Sequence, residues 1–306
     1  MSRYRILSID GGGIRGVLTA ILLERLEDQN PGFLKKVDLI AGTSTGGLIA
    51  LGLASGKTSS EARILYEKHG NKVFSDSLWD NINDLGGLIG ANYSIKYLKE
   101  VLTAEFGELK LDQLNTQVLI SSFDLDNSPE DLGVVRTWKP KFFHNFPGSD
   151  SDGQELVVDV ALRTAVAPTY FPIYQGYIDG GVVANNPSMC AVAQALHPPT
   201  GGQLLEDIVL LSMGTGHSPQ FITVQNGDWG FLHWAPYIIS VMLEGGAGLA
   251  DYQCRQLLDK SYLRVNPVLP IPIGMDKVDQ IPLLVEIAEM FDINPASEWI
   301  REYYLS

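Results

Sequence analysis

The chain opens with an apolar segment, a glycine loop and an amphipathic helix, and this succession restricts the fold more than any other feature of the sequence. Residues 4–9 form a short, largely apolar run of the kind found in buried strands. Residues 17–28 follow the loop and predict an amphipathic helix, whose apolar side carries Leu18, Ile21, Leu22 and Leu26 and whose other side is charged. A buried strand followed at once by such a helix is typical of a parallel sheet covered by helices.

The same alternation of strand and helix continues along the chain. Residues 37–42 predict a second strand, and residues 43–56 predict a helix with hardly a charge, which indicates burial on most sides. Three later segments are predicted as strand, strand and loop, in that order: 117–125, 133–140 and 140–154. Because no internal repeat or low-complexity linker interrupts the pattern, we predict one domain, 1–306, with an α/β architecture and a mainly parallel central sheet.

Charge and cysteine content narrow the functional classes. The 306 residues carry a formal net charge of −14, with a sequence pI of about 4.7. Nucleic-acid affinity comes largely from Lys and Arg on phosphates, so this balance argues against a nucleic-acid partner. It also disfavours simple electrostatic docking on anionic lipid. Cys190 and Cys254 lie in predicted helices, so we expect free thiols in a reducing compartment. No grouping of Cys and His has zinc spacing.

Targeting and membrane-spanning signals are missing from the sequence. The apolar run near the N-terminus is short and interrupted, and no small-residue cleavage site follows it. No stretch reaches the roughly 18 apolar residues that cross a bilayer. These features predict a cytoplasmic protein, while a secreted effector with another kind of address stays open.

Residues 11–16 fit the pattern G-x-G-x-x-G between a strand and a helix, and three interpretations compete. A dinucleotide-binding loop has this place and pattern. However, Asp10 would repel a pyrophosphate, and the acid expected at the end of the second strand is missing. The segment could also be a tight turn without a ligand. We favour the third interpretation, in which backbone N–H groups at the start of the helix hold one negatively charged oxygen.

A second motif, G-x-S-x-G at 42–46, places Ser44 between a predicted strand and a predicted helix. Gly42 and Gly46 would allow the sharp turn that exposes a nucleophilic hydroxyl. A glycine-rich loop whose serine or threonine caps the helix has the same appearance. The strand before the motif and the helix after it favour the nucleophile.

A hydroxyl nucleophile needs a base. In α/β-hydrolases the order is Ser, Asp, His, and only three histidines follow in that order: His197, His217 and His233. That fold places several strands before its nucleophile, and here only one precedes the strand of Ser44, so each of these histidines is predicted to be a surface or packing residue. Asp179 precedes Gly180 and Gly181 at the end of a predicted strand. It would pass for a turn residue on its own, and becomes a candidate because Ser44 needs a base.

Taken together and in this order, the three motifs resemble those of the patatin-like phospholipases. The similarity rests on residues 10–16, 42–46 and 179–181, and it continues in 167–172 and 185–187. The resemblance implies a three-layer α/β/α sandwich without a lid domain and without a catalytic metal. We predict no cofactor.

The resemblance also implies a Ser–Asp dyad in place of a triad. Ser44 matches the nucleophile, and Asp179 matches the acid of the dyad, which accepts the proton of the serine. The residues that match the oxyanion-hole loop are Gly11, Gly12, Gly13 and Arg15.

With these roles the chain is expected to be a lipid acyl hydrolase, either a phospholipase A or a nonspecific carboxylesterase, acting through an acyl-Ser44 intermediate. An acyltransferase with the same intermediate and a noncatalytic storage or binding protein stay open. Expected partners are a lipid or acyl ester substrate and, transiently, a membrane or micelle surface; the residues specify no oligomeric state. Candidates for an acyl groove are the helix after Ser44, the pair Tyr170–Phe171 and the aromatic residues of 229–237.

Overall fold

Seven strands form one sheet in the computed structural model, which describes residues 3–74, 91–128, 133–223, 227–234 and 237–306. In chain order the strands are β1 (Tyr4–Ile9), β2 (Leu39–Thr43), β3 (Gln117–Asp124), β4 (Lys139–His144), β5 (Tyr177–Asp179), β6 (Ile208–Met213) and β7 (Tyr262–Val265). Their order across the sheet is β4-β3-β2-β1-β6-β7, and β5 also pairs with β3.

Most of the strand pairs are parallel, as predicted. β1 pairs in parallel with β2 and β6, β2 with β3, and β6 with β7, whereas β4 and β5 are antiparallel to β3. The register brings Ile9 beside both Gly42 and Met213. The segments after β1, β2 and β6 therefore leave the sheet together, at the carboxyl ends of these parallel strands. In the sheet, β2 lies on one side of β1 and β6 lies on the other, so the order of the strands reverses at β1. α/β folds commonly bind ligands at such a point.

Helices pack against this sheet along the described part of the chain. The α-helices are α1 (Gly16–Gln29), α2 (Thr45–Ala54), α3 (Ser59–Val73), α4 (Ile95–Phe106), α5 (Val157–Ala165), α6 (Gly181–Ala184), α7 (Ser188–Leu196), α8 (Phe231–Trp234), α9 (Ile238–Leu258), α10 (Ile281–Met290) and α11 (Asn294–Trp299). A π-helical turn, Ile300–Tyr304, continues α11. Of the helices described, none has the length and hydropathy to cross a membrane.

The helices cover both faces of the sheet and so give three layers. In β1, Ile6 belongs to one buried cluster, and Leu7 and Ile9 belong to the other, because successive strand residues point to opposite faces. The larger cluster joins the sheet to α1, α2, α5 and α10, and the smaller joins it to α7 and the end of α9. The structure thus confirms the α/β/α sandwich.

One strand was predicted in the wrong place. The strand expected at 133–140 and the loop expected at 140–154 are corrected by β4, which runs from Lys139 to His144. The β-branched pair Val134 and Val135 favoured the earlier segment, but both side chains are exposed. Phe143 is buried instead and packs its ring on Tyr177. Lys and Pro at the start of β4 suit its position at the edge of the sheet.

Candidate active site

The predicted motifs meet at the carboxyl edge of the parallel strands. The glycine loop follows β1, and Ser44 follows β2. Thr215 lies in the loop after β6, and its hydroxyl donates to the carbonyl oxygen of Gly11 at 2.9 Å. Asp179 is the last residue of β5, which pairs antiparallel with β3. The sheet therefore gathers residues that lie far apart in the sequence.

Ser44 forms a sharp turn between β2 and α2. Its backbone has φ 53° and ψ −124°, a conformation that residues other than glycine rarely adopt. The backbone N–H of Ser44 donates to Oγ1 of Thr164 at 2.8 Å, and the hydroxyl of Thr43 donates to the carbonyl oxygen of Ala184 at 2.6 Å. Strain that is held by such contacts is typical of functional sites and of nucleophile turns.

Gly42 and Gly46 are required by the space around this turn. A β-carbon at Gly46 would lie 2.3 Å from the carbonyl oxygen of Ile9, and one at Gly42 would lie 2.4 Å from the carbonyl oxygen of Gly46. Backbone atoms of a buried strand and helix cannot yield by the distance needed. The first turn of α2 therefore packs directly on the end of β1, which brings Ser44 next to the glycine loop.

We expect Gly46→Ala to lower the free energy of unfolding by about 1–3 kcal/mol or more, because the added methyl group overpacks the contact with β1. Gly52→Ala, in the same helix, is the matched control. Its β-carbon would meet only Cδ of Lys57 at 3.9 Å. This control should gain about 0.5–1 kcal/mol from helix propensity. Urea unfolding followed by circular dichroism measures both, and equal effects would contradict the close packing at Gly46.

Asp179 is a buried carboxylate beside the Ser44 hydroxyl. The N–H of Gly181 donates to its Oδ1 at 2.7 Å. Gly180 lets the chain pass close to β3, since a β-carbon there would lie 2.3 Å from the carbonyl oxygen of Ser121. Burial raises the pKa of Asp179 to about 6, although hydrogen bonds from Ser44 and Gly181 lower that pKa. The carboxylate is therefore a stronger base than an exposed Asp.

No histidine is placed to act as the base in the described part of the chain. None of the five forms a hydrogen bond with Ser44 or Asp179 there. Nδ1 of His69 bonds to the hydroxyl of Tyr97 at 2.7 Å. His144 is buried, and burial lowers the pKa of its ring. The remaining three lie at the surface, as predicted: His197, His217 and His233.

Gly11 joins the glycine loop to the serine turn. A β-carbon at Gly11 would lie 3.3 Å from Cβ of Ser44 and 2.4 Å from Oδ1 of Asn185. The N–H of Gly11 donates to the carbonyl oxygen of Asn185 at 3.0 Å. Because this N–H is already paired, the contribution of Gly11 to the site is the close approach that its missing side chain allows.

The backbone N–H groups that lie near Ser44 and have no acceptor among the residues described include those of Gly12, Gly13 and Thr45. The loop that carries the first two is tightly held. A β-carbon at Gly12 would lie 2.2 Å from Oγ1 of Thr215, and one at Gly13, where φ is +57°, would lie 2.2 Å from the carbonyl oxygen of Met275. Free donors on a rigid loop and at a helix start suit the stabilisation of an oxyanion. The assignment of the loop as an oxyanion hole stays a prediction.

Asp10 anchors the glycine loop through an ion pair that sequence analysis missed. Nη2 of Arg264 lies 2.6 Å from Oδ2 of Asp10, and Nη1 lies 3.2 Å from Oδ1 and 2.8 Å from Oγ of Ser212. The two charged side chains are only 9% and 4% exposed. Burial raises the pKa of Asp10, and Arg264 opposes that rise. The sequence signal that could have indicated this pair is Arg264 itself. It lies between Leu263 and Val265, and a charge buried among apolar residues needs a partner.

Arg15 extends into a cavity that adjoins the loop. Its Nη1 lies 3.4 Å from both the carbonyl oxygen of Gly216 and Oγ of Ser218, while its backbone N–H donates to the carbonyl oxygen of Gly12 at 3.2 Å. The side chain does not line the space at Ser44 in the described structure. Its predicted part in the oxyanion hole therefore has no contact that supports it and stays a prediction.

An apolar chamber opens at Ser44 and extends between α2, α3, α4 and α5. Its walls include side chains from the helix after Ser44 and from the pair Tyr170–Phe171, two of the candidates for an acyl groove. The main apolar side chains are Leu48, Ile49, Val73, Phe74, Leu98 and Leu102. The third candidate is not part of this chamber: Trp229 packs against Trp234 and Tyr237, and the Phe231 side chain lies outside the described residues.

The two cysteines do not line the space at Ser44. Cys254 is buried and Cys190 half-buried, and both are free thiols. Among the described residues no group of three or more His, Cys, Asp or Glu could hold a metal ion. A hydroxyl, a buried carboxylate and free N–H donors are the groups needed for nucleophilic attack on a carbonyl carbon.

Comparison with known proteins gives consistent matches. A sequence model of the patatin-like phospholipases matches residues 7–192. CotR of Bacillus subtilis, which carries the provisional name of a sporulation hydrolase, is 31% identical over 99% of this chain and 98% of its own. A cGAMP-activated phospholipase of Pseudomonas aeruginosa is 31% identical over 86% of this chain and 78% of its own. Patatin-17 of Solanum cardiophyllum is 29% identical over 98% and 86%, respectively.

Proposed function

The chain belongs to the patatin-like phospholipase family, and on that basis we propose that it cleaves fatty acyl esters of lipids through an acyl-Ser44 intermediate, with Asp179 as the base. Lipid acyl hydrolysis is the activity of the family in general. The dyad, the oxyanion donors and the covalent intermediate are our proposal for this chain.

One observation carries the proposal. Ser44 lies on a strained turn beside Asp179, and the turn opens into an apolar chamber of a kind that suits an acyl chain. The helix-capping alternative for Ser44 does not fit, because its side chain forms no hydrogen bond with the start of α2. A helix cap does not need the strained backbone conformation of Ser44. A nucleophile does, because the sharp turn exposes its hydroxyl.

In the proposed reaction the oxygen of Ser44 attacks the ester carbonyl carbon while Asp179 accepts the hydroxyl proton. The negative charge that develops on the carbonyl oxygen is stabilised by the free N–H groups of Gly12, Gly13 and Thr45. Collapse of the tetrahedral intermediate breaks the ester bond, and Asp179 returns the proton to the leaving alcohol. Water then attacks acyl-Ser44 by the same steps and releases the fatty acid.

A carboxylate is a weak base, and the burial of Asp179 addresses this difficulty. An ordinary Asp, with a pKa of about 3.9, would hold the serine proton poorly. At a pKa of about 6, Asp179 remains ionised at neutral pH and binds the proton more tightly.

The direct test is release of fatty acid and alcohol by the purified chain. The substrates are nitrophenyl butyrate and phosphatidylcholine micelles, both with EDTA present. Hydrolysis of both substrates would support a metal-independent lipid acyl hydrolase. A folded protein that hydrolyses neither substrate would contradict the proposal and favour the storage or binding alternative.

The pH profile offers a separate prediction. Because Asp179 must be ionised to accept the proton, and burial raises its pKa to about 6, kcat/KM should fall as the pH drops below that value. The measurement is nitrophenyl butyrate hydrolysis from about pH 5 to 8, with circular dichroism at each pH to confirm folding. A rate that stays constant from about pH 5 to 8, as an Asp of ordinary pKa would give, would contradict the role of burial.

A further inference from the structure

A second chamber adjoins the apolar one and has a polar lining. Its volume is about 440 Å³. Tyr170 and Met275 line both chambers, so the two spaces are adjacent. Gly11 lines the polar chamber and lies against Ser44. A molecule whose ester carbonyl lies at Ser44 can therefore place an apolar chain in one chamber and a polar group in the other.

Arg15 brings a buried cation with unused donors to the polar chamber. The residue is only 8% exposed. Its Nε has no hydrogen-bond partner in the described structure, and Nη1 has two long contacts, both at 3.4 Å. A guanidinium group carries five N–H donors, and leaving them unpaired in a buried place is unfavourable. This arrangement favours an anionic ligand that accepts several hydrogen bonds, as a phosphate does.

Glu244 supplies a negative charge to the same chamber. Its Oε2 lies 3.4 Å from Nδ1 of His217, and it forms no ion pair with Arg15 in the described structure. The charge of Glu244 nevertheless raises the pKa of Arg15, against the lowering by burial. Tyr237 and Tyr170 also line the chamber, and the faces of tyrosine rings attract quaternary ammonium groups.

The polar chamber has one positive and one negative side chain, and the two do not form an ion pair with each other. Among its described lining residues, Arg15 is the one Arg or Lys and Glu244 the one carboxylate. The sequence has no Lys or Arg from 164 to 254, the segment that builds much of the lining. A ligand with only a negative charge would be attracted by Arg15 and repelled by Glu244. A ligand that carries one negative and one positive charge can be attracted by both Arg15 and Glu244.

We propose that the polar chamber binds the head group of a zwitterionic glycerophospholipid, with the phosphate at Arg15 and the ammonium group at Glu244 and Tyr237. This rests on the proposed function, because it takes the occupant of the chamber to be the lipid whose ester lies at Ser44. The chain should therefore distinguish phosphatidylcholine from phosphatidylglycerol, which has the same phosphate and no ammonium group.

Binding can be tested without turnover by using Ser44→Ala as the parent protein. The probes are diheptanoyl phosphatidylcholine and diheptanoyl phosphatidylglycerol, dissolved below their micelle-forming concentrations so that no lipid surface is present. We expect calorimetry to give a Kd for the choline lipid about tenfold below that for the glycerol lipid, as one charge-assisted contact allows. Adding Glu244→Lys should reverse this preference.

Glu286→Lys, also added to Ser44→Ala, is the matched control. Glu286 is an exposed residue of α10 that lines neither chamber, so the substitution makes the same change in net charge elsewhere. The preference for the choline lipid should persist in this variant. Equal binding of the two lipids by the parent, or a preference that survives Glu244→Lys in a folded protein, would overturn the proposal.

Nitrophenyl butyrate, which has no head group, separates this proposal from the proposed function. Hydrolysis of the ester without any preference between the two lipids would refute the head-group site and leave the Ser44–Asp179 assignment intact. The opposite result, a choline preference that Glu244→Lys reverses in a chain that cleaves no ester, would support the head-group site and refute the proposed hydrolase.

Discussion

Asp179→Asn is expected to lower kcat/KM for nitrophenyl butyrate by about 10³-fold, within the range that general base catalysis contributes. The substitution keeps the shape of the side chain and an oxygen that can accept the N–H of Gly181. It removes the group that takes the proton of Ser44. Ser44→Ala should reduce the rate at least as far, since it removes the nucleophile itself.

The same variant should not be less stable than the wild type. Burial raises the pKa of Asp179 from 3.8 to about 6, so the stability that the protonated carboxyl group contributes at low pH is lost as the pH rises through about 6. At pH 8 the neutral amide avoids this loss, and the free energy of unfolding should be equal or higher. Urea unfolding measures it.

Ser8→Ala provides a control for the serine variant. The hydroxyl of Ser8 is buried in β1 and has no hydrogen-bond partner in the described structure, so its removal should leave both folding and activity in place. If Asp179→Asn keeps a tenth or more of the wild-type rate while Ser44→Ala is inactive, Asp179 is not the base. A histidine would then be the alternative base.

Arg264→Met is expected to destabilise the protein by about 3–5 kcal/mol, because it leaves the carboxylate of Asp10 buried without its partner. The pair has two contacts, the shorter at 2.6 Å, and both side chains are buried. Urea unfolding at pH 7 measures the loss. Replacing both partners, as Asp10→Asn with Arg264→Met, should recover part of it, because no buried charge then remains.

An exposed ion pair shows how much of the effect depends on burial. Arg255 pairs with Asp251 at 3.1 Å within α9, but the Arg255 side chain is 55% exposed. Arg255→Met should therefore change the free energy of unfolding by no more than about 0.5 kcal/mol. A comparably small loss in Arg264→Met would mean that Asp10 finds another partner or takes up a proton without strain.

The local parts of the fold and site could be predicted because their signals are local. The strand, glycine loop and helix at 4–29 follow from apolar spacing and loop chemistry, and Ser44 follows from the glycines that its turn requires. β4 was misplaced because the segment before it is β-branched but has no strand to pair with. Whether a strand forms at Val134 or at Phe143 depends on β3 and Tyr177, which local patterns do not contain.

The relations between distant segments could not be predicted from spacing. In the sequence Asp10 has no evident partner. Its role depends on Arg264, which lies in the last strand of the sheet. The unused donors of Arg15 and the charge of Glu244 become meaningful only once α9 and the glycine loop line the same chamber. In each case the sequence shows a charged residue in an apolar setting, and only the fold identifies its partner.

The support of the glycine loop also bears on how members of the family could be recombined. The loop lies within the matched residues 7–192, but its geometry depends on three residues beyond them: Arg264 at Asp10, Thr215 at Gly11 and Gly12, and Met275, whose carbonyl oxygen accepts the N–H of Ile14. A chimera joined near residue 192 would inherit the loop from one parent and these supports from the other. Loop and supports should therefore be exchanged together, as one unit that is discontinuous in the chain.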